Sequence, residues 1–221
     1  MTASTDPQRG TPRERYRDQV RAEIKTHAWE QIATAGASAL SLNAIAKRMG
    51  MSGPALYRYF AGRDELITAL VRDAYRGLAD TLGEARTAGA GLAALAYALR
   101  DWALADPQRY LLIWGTPVPG YHAPEDVTGI ADEIMTLLLD AAAELPDPGP
   151  PPTPFAAHLA TEGDFAAAHP APPEARRLAL AFWTRLHGVL SLELAGHFGG
   201  MGFDPAQYFA AELDDLLAGR V

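Results

Sequence analysis

Residues 52–63 read SGPALYRYFAGR, a stretch whose side chains are small, phenolic or cationic on one side and apolar on the other. Gly53 and Ala55 leave room for a close approach, while Tyr57, Arg58 and Tyr59 carry groups that bond to phosphate oxygens or to base edges. The apolar members, Leu56 and Phe60, point to a core. Read as residues alone, the two tyrosines have a second explanation, as covers of a small helical core.

Two short helices must hold these groups. Ser41 is suited to N-cap a helix predicted over 42–49, and Gly50 ends it. Pro54, favoured in a first helical turn, starts another at Gly53 or Pro54 that is predicted to end near Phe60. Two helices of about two turns joined by a tight turn have the size of a helix-turn-helix, in which the second enters a major groove. Ile45, Ala46, Met49, Leu56 and Phe60 can pack together and against Ile32, which turns Gly53, Ala55, Tyr57, Arg58 and Tyr59 outward.

The rest of the chain shows helical periodicity and no sustained strand alternation, so the fold class is all-α. A disordered basic arm is expected over 1–15, followed by a helix to residue 35 with Val20, Ile24, Ala28 and Ile32 on one stripe. A longer helix over 63–85 repeats Leu66, Leu70, Ala74, Leu78 and Leu82 every fourth residue. Further helices are predicted over 92–105, 107–114, 126–145, 173–197 and 205–217, with one short helix inside 155–170. The run PDPGPPPTP at 146–154 reads as an extended linker.

Charge divides the chain as well. The net charge is -8, yet residues 1–63 hold 10 of the 19 Lys and Arg against 5 of the 27 acids, leaving 9 bases and 22 acids for the remainder. A basic segment of +5 joined to a body of -13 suits an anion-binding module attached to one that binds no anions, although a solvated basic helix face gives the same count. Arg9, Arg13, Arg15 and Arg17 have two readings of equal standing: solubility residues, or an arm that enters a minor groove. The absence of cysteine excludes disulfides and thiolate metal sites. With no signal-peptide core and no membrane-length apolar run, the expected location is cytoplasmic, away from membranes.

The segment LSLNAIAKRMGMSGPALYRYFAGRDEL resembles the DNA-binding signature of the TetR family of bacterial transcriptional regulators, over roughly residues 18–75. That resemblance implies a DNA-binding domain at 16–77 in which Tyr57 and Tyr59 meet the operator backbone and Arg63 contacts phosphate. It also implies that Ser52, Gly53 and Ala55 lie nearest the bases and that Asn43 touches a base or phosphate. Ser41, Pro54 and Arg58 complete the expected DNA-binding set. Tyr59 stands where histidine is commoner in the family.

FWTRLHGVLSLELAGHF and DPQRYLLIWGTPVPGY are similar to the TetR subgroup whose C-terminal domain is marked by Trp, His and Gly, here Trp183, His187 and Gly188. The resemblance implies an effector-binding, dimer-forming domain over 78–221. Residues 178–198 support dimerisation independently, being apolar on more sides than one core face accepts. Trp183, His187 and Ser191 follow i, i+4 spacing, and with Trp102, Tyr110, Trp114 and Tyr121 they could line an apolar pocket with a few polar groups. An aromatic core with one satisfied histidine is the plainer alternative.

The whole then reads as a homodimeric, ligand-responsive repressor on a palindromic double-stranded operator, with no cofactor or metal. The competing class is a helical small-molecule-binding protein or a cryptic enzyme without DNA function. No P-loop, dinucleotide fingerprint, metalloprotease motif or nucleophile elbow supports it.

Overall fold

The computed structural model describes residues 11–115, 120–122, 124–145, 154–161 and 169–218. Among them are ten α-helices, one 3-10 turn and no strand, the all-α class that the sequence predicts. Arg9, most of the proline-rich linker and the centre of the loop GTPVPGY fall outside the described residues. The chain forms two units: the first runs to Leu70 and takes in residues 120–122, and the second begins at Val71. The division lies within α4 (Arg63–Thr87), earlier than the residue 77 suggested by sequence.

The first unit starts with α1 (Pro12–Ala35), which reaches into the expected arm. Its start is set by a capping box: Thr11 Oγ1 accepts the Glu14 N–H at 3.3 Å, and the Glu14 carboxylate accepts the Thr11 N–H at 2.6 Å. Pro12 at the first helical position loses nothing by lacking an N–H. Arg13, Arg15 and Arg17 are therefore helical residues rather than parts of a loose arm. Val20, Ile24, Ala28 and Ile32 are buried, as their spacing predicts.

A 3-10 turn at Ala37–Ala39 leads into α2 (Leu42–Arg48), where Ser41 Oγ accepts the Ala44 N–H at 3.3 Å. Gly50, at φ +66°, ends α2 with its own N–H on the Lys47 carbonyl and the Met51 N–H on that of Ala46. This left-handed position suits glycine. The next helix, α3 (Gly53–Leu56), is a single turn and not the two turns predicted. Beyond Leu56 the winding tightens: the Arg58 and Tyr59 N–H groups bond three residues back, to Ala55 and Leu56, before Phe60 returns to Leu56. Ile24, Ile32, Ile45, Leu56, Phe60 and Leu66 form the core of this unit.

In the second unit the remainder of α4 joins α5 (Leu92–Ala105), α6 (Pro107–Trp114), α7 (Glu125–Ala143), α8 (Pro154–Thr161), α9 (Pro173–Leu194) and α10 (Pro205–Leu217). α9 is the central helix, packed against α5, α6, α7, α8 and α10. It ends at Leu194 rather than residue 197. Gly196 adopts φ +77°, and the His197 N–H bonds back to the Leu192 carbonyl at 2.9 Å, closing the terminus. Phe182, Leu186 and Leu190 enter the core with Leu78, Leu99 and Phe209. No described helix is long and apolar enough to cross a membrane.

An outward stripe remains on α9. Thr184, Gly188 and Leu192 are exposed at i, i+4 spacing, and a methyl group at Gly188 would meet open space. Tyr208 and Ala211 of α10, the helix packed beside α9, are exposed too. Leu190 and Leu216, by contrast, are core residues at 0% and 1% exposure. Leu190→Glu or Leu216→Glu should therefore cost about 3 kcal/mol or more and unfold the second unit, without releasing folded monomers. Urea denaturation combined with sedimentation checks this, and folded monomers of either variant would place these residues on an outer face.

Candidate functional site

In the first unit the core uses the apolar side of α2 and α3 and leaves their polar side outside. Asn43, Lys47, Ser52, Pro54, Tyr57 and Arg58 are exposed, while Gly53, Ala55 and Tyr59 are half-buried. A Cβ built on Gly53 would lie 3.4 Å from Asn43 Oδ1, so the Asn43 side chain stands directly over the start of α3. Tyr57, 47% exposed, projects its ring from the end of that turn. Lys47 and Arg58 make no ion pair among the described residues. The face is thus small-residue at its centre, with amide, phenol and cations around it.

Three of the predicted contacts have additional or different work. Ser41 caps α2, and Gln31 holds its backbone from both sides, accepting its N–H at 2.9 Å and donating to its carbonyl at 3.4 Å. Arg63 turns inward: its Nη2 donates to the carbonyls of Ala37 at 3.1 Å and Ser38 at 3.3 Å, closing the end of the 3-10 turn. Tyr59 is anchored through its backbone, because Arg21 donates to its carbonyl oxygen.

Arg21 is the residue that sequence reasoning misses. Its guanidinium also lies 4.0 Å from the Phe60 ring centroid and 3.6 Å from Glu65 Oε1, so one side chain of α1 fixes the segment carrying Tyr57, Arg58 and Tyr59. Glu65 in turn accepts the Ala61 N–H at 2.6 Å. No local pattern announces this, since the Tyr59 partner lies far along the chain.

In the second unit Trp102, Tyr110, Trp114, Trp183 and His187 come together. Trp114 is the hub, with ring centroids 6.2 Å from Trp102, 5.0 Å from Tyr110, 5.6 Å from Trp183 and 4.3 Å from His187. Trp183 and His187 meet at 4.1 Å. Tyr75 of α4, which the sequence does not single out, packs edge-on against Trp114 at 5.8 Å. Tyr121 makes no ring contact with the cluster among the described residues and groups with the first unit.

The polar centre of the cluster is the Tyr110 hydroxyl, 2.9 Å from His187 Nδ1, 3.1 Å from the His187 carbonyl oxygen and 2.8 Å from Ser191 Oγ. Desolvation raises the Tyr110 phenol to about 12, against the bond from Ser191, and lowers the His187 imidazole to about 3. Both groups are neutral near pH 7. His187 Nε2 is enclosed and has no hydrogen-bond partner. Nearby, Arg100 and Glu193 form a largely buried ion pair at 2.6 Å that joins α5 to α9.

Among the described residues no group of three or more His, Asp or Glu is placed to hold a metal ion. A separate open groove of about 520 Å³ runs along α4, lined by Arg76, Asp80, Gly83, Glu84 and Glu133 among others. Its one cation is held by two of its acids, Arg76 bonding Asp80 at 2.8 Å and Glu133 at 2.7 Å.

Because His187 stays uncharged when folded and takes a second ring proton near pH 6.5 when unfolded, the unfolded chain binds more protons between about pH 3 and 6.5. Its contribution to stability is complete above pH 6.5 and falls as the solution is acidified through that window. His187→Gln should flatten this part of the stability profile, measured by urea denaturation at stepped pH; an unchanged slope would mean that the imidazole titrates freely.

The comparisons agree with this two-part layout. The family model described as bacterial regulatory proteins, tetR family, matches residues 24–70, and the tetracyclin repressor-like C-terminal domain matches residues 92–216. The chain is 37% identical to the HTH-type transcriptional regulator Rv1816 of Mycobacterium tuberculosis, over 91% of this chain and 92% of that protein. The same figures hold for the HTH-type transcriptional regulator Mb1846 of Mycobacterium bovis. Among solved structures it resembles the crystal structure of SCO4313, with 69% identity, a TM-score of 0.86, and coverage of 94% of this chain and 99% of that one. With an exposed polar face on a closed helix-turn-helix core, joined to a helical body that matches the family's C-terminal domain, the chain belongs to the TetR family of helix-turn-helix transcriptional regulators.

Proposed function

We propose that this regulator is a homodimeric repressor that binds a palindromic operator and releases it when a small molecule enters the aromatic cluster of its second unit. The observation that carries the DNA part is the outward side of α2 and α3, where the core leaves Asn43, Lys47, Tyr57 and Arg58 exposed around Gly53 and Ala55. Phosphate contacts come from Tyr57, Arg58 and Lys47, and base contacts from Asn43, Ser52 and the surface over Gly53 and Ala55. Ser41, Tyr59 and Arg63 support that face from within, and Pro54 lies on it at the start of α3. The repressor sign follows the description of the matched C-terminal family. A regulator that binds operator DNA works beside the chromosome, and a cytoplasmic location is part of this proposal.

The dimer reading rests on Thr184, Gly188 and Leu192 of α9 with Tyr208 of α10, an exposed stripe whose glycine lets a second helix come close. Two copies about an axis present two reading faces, and half-sites one helical turn or a multiple apart follow. The effector reading rests on the cluster of Trp102, Tyr110, Trp114, Trp183 and His187, which offers ring faces and one unused polar atom. Tyr121 does not belong to this set.

Selection of genomic fragments by the purified protein should return an inverted repeat, and binding should weaken steeply as salt rises. Tyr57→Ala and Arg58→Ala should each reduce affinity for all sequences alike, by about tenfold, while Gly53→Val should alter sequence preference by displacing Asn43. Recovery of no preferred site, or full affinity in both alanine variants, would sink the docking. Leu192→Glu should yield folded monomers in sedimentation, which core substitutions cannot do.

A further inference from the structure

The hydrogen bonds around Tyr110 determine what kind of ligand the aromatic cluster accepts. The phenol has one proton and three partners, of which the His187 carbonyl oxygen can only accept. All three contacts are satisfied in one arrangement. Tyr110 donates to the His187 carbonyl, and its oxygen accepts from Ser191 Oγ–H and from His187 Nδ1–H. The alternative, with Tyr110 donating to Nδ1, leaves the carbonyl contact without a proton and buries an unmatched N–H on the far side of the ring. This arrangement puts the proton of the neutral imidazole on Nδ1 and leaves Nε2, which is enclosed without a partner, as a bare lone pair.

The side chains against the imidazole are uncharged. Tyr110 stacks at 5.5 Å, Trp114 lies at 4.3 Å and Trp183 at 4.1 Å between ring centroids. We infer that, if the cluster is the effector site proposed above, its ligand is an uncharged ring compound that donates a hydroxyl or N–H hydrogen to His187 Nε2 and lays its ring against Trp114 and Trp183. A carboxylate would bring lone pairs to a lone pair, with no cation among the rings packed on the imidazole and with Arg100 already held by Glu193. An ether or hydrocarbon would keep Nε2 unmatched, which costs as much as a lost hydrogen bond. An ammonium could donate, but it would be stripped of water with no carboxylate in contact with the imidazole, and ring faces offset only part of that loss.

Calorimetric titration of the full chain with phenol, anisole, benzoate and benzylammonium near neutral pH tests the inference. Phenol should bind about tenfold tighter than anisole, the difference made by one donated hydrogen bond, and tighter than either ion. Tyr110→Phe removes the acceptor of Nδ1–H and frees the imidazole to move its proton to Nε2, so the phenol preference should shrink to about twofold or invert. Nitrogen-15 NMR of the unliganded protein should show Nε2 unprotonated, a readout that needs no variant. Binding of anisole as tight as phenol, tighter binding of benzoate or benzylammonium, or a protonated Nε2 would overturn the ligand class while leaving the effector site standing. Failure of all four probes to bind would overturn both.

Discussion

The second unit depends on one constraint: α9 is apolar on most of its circumference and must be enclosed by other helices. Ala175, Ala179, Phe182, Leu186, Val189 and Leu190 are all buried, and five helices surround them. An enclosed helix carries polar side chains at least cost where they find a match. His187 and Ser191 share the Tyr110 hydroxyl, Glu193 meets Arg100 at 2.6 Å, and Arg185 meets Glu212 at 2.5 Å. Apolar packing would allow α9 to rotate or slide by small amounts, whereas these pairs each fix one rotation and one height. The buried Arg100–Glu193 pair adds orientation more than net stability, since desolvation offsets much of its attraction. Arg100 also lies 5.5 Å from the Phe209 ring centroid, which ties α10 to the same arrangement.

In the first unit, charge that looks available from composition is partly committed. Arg21 is bound to Tyr59 and Glu65, Arg48 pairs with Glu30 at 2.9 Å, and Arg63 closes the 3-10 turn. The excess of +5 therefore overstates the cations ready for phosphate. What it provides is a positive setting around Lys47 and Arg58, which stay exposed on the surface of α2 and just beyond α3. Two of these arginines also explain how so short a helix keeps its shape. A one-turn helix has little stability of its own, and Arg21 and Arg63 hold the segments on either side of it.

Local punctuation made much of this readable in advance. Pro107 and Pro205 in first turns, together with Gly91, mark the starts of α5, α6 and α10 at the residues where the structure begins them. The meeting of Trp183 with His187 follows from their i, i+4 spacing. Three departures from expectation have different causes. The Thr11 to Glu14 capping box is written in the sequence, but four nearby arginines make it resemble an arm. The shortening of α3 is not written locally: beyond Leu56 the Arg58 and Tyr59 N–H groups bond three residues back, and no residue of the segment signals that change. Tyr121 was grouped with the other aromatics by composition and loop position, and neither encodes which unit a loop residue joins.

Within the second unit α4 is held by contacts of two unequal kinds. Tyr75 packs on Trp114, and Trp102 lies over Gly77, where a Cβ would come 3.6 Å from the indole nitrogen. On another side, Arg72 reaches Asp126, Arg76 reaches Glu133 and Arg86 reaches Glu144, three ion pairs that join α4 to α7 or the end of that helix. Pairs of this exposure contribute about 0–1 kcal/mol each and re-form after small shifts, because long side chains follow the movement. Ring packing does not adapt in that way, since edge-to-face contacts lose their fit when one ring is displaced. A ligand that shifts Trp114 while bonding His187 would thus disturb one of the packed contacts that set where α4 stands, beside the buried Leu78, Ala79 and Leu82, and leave the ion pairs that permit movement. α4 is also the helix whose first turns, with Leu66, Ile67 and Leu70, belong to the core of the DNA-reading unit. Under the proposed repression mechanism, that continuity gives ligand binding a mechanical route to the reading face without any change inside α2 or α3.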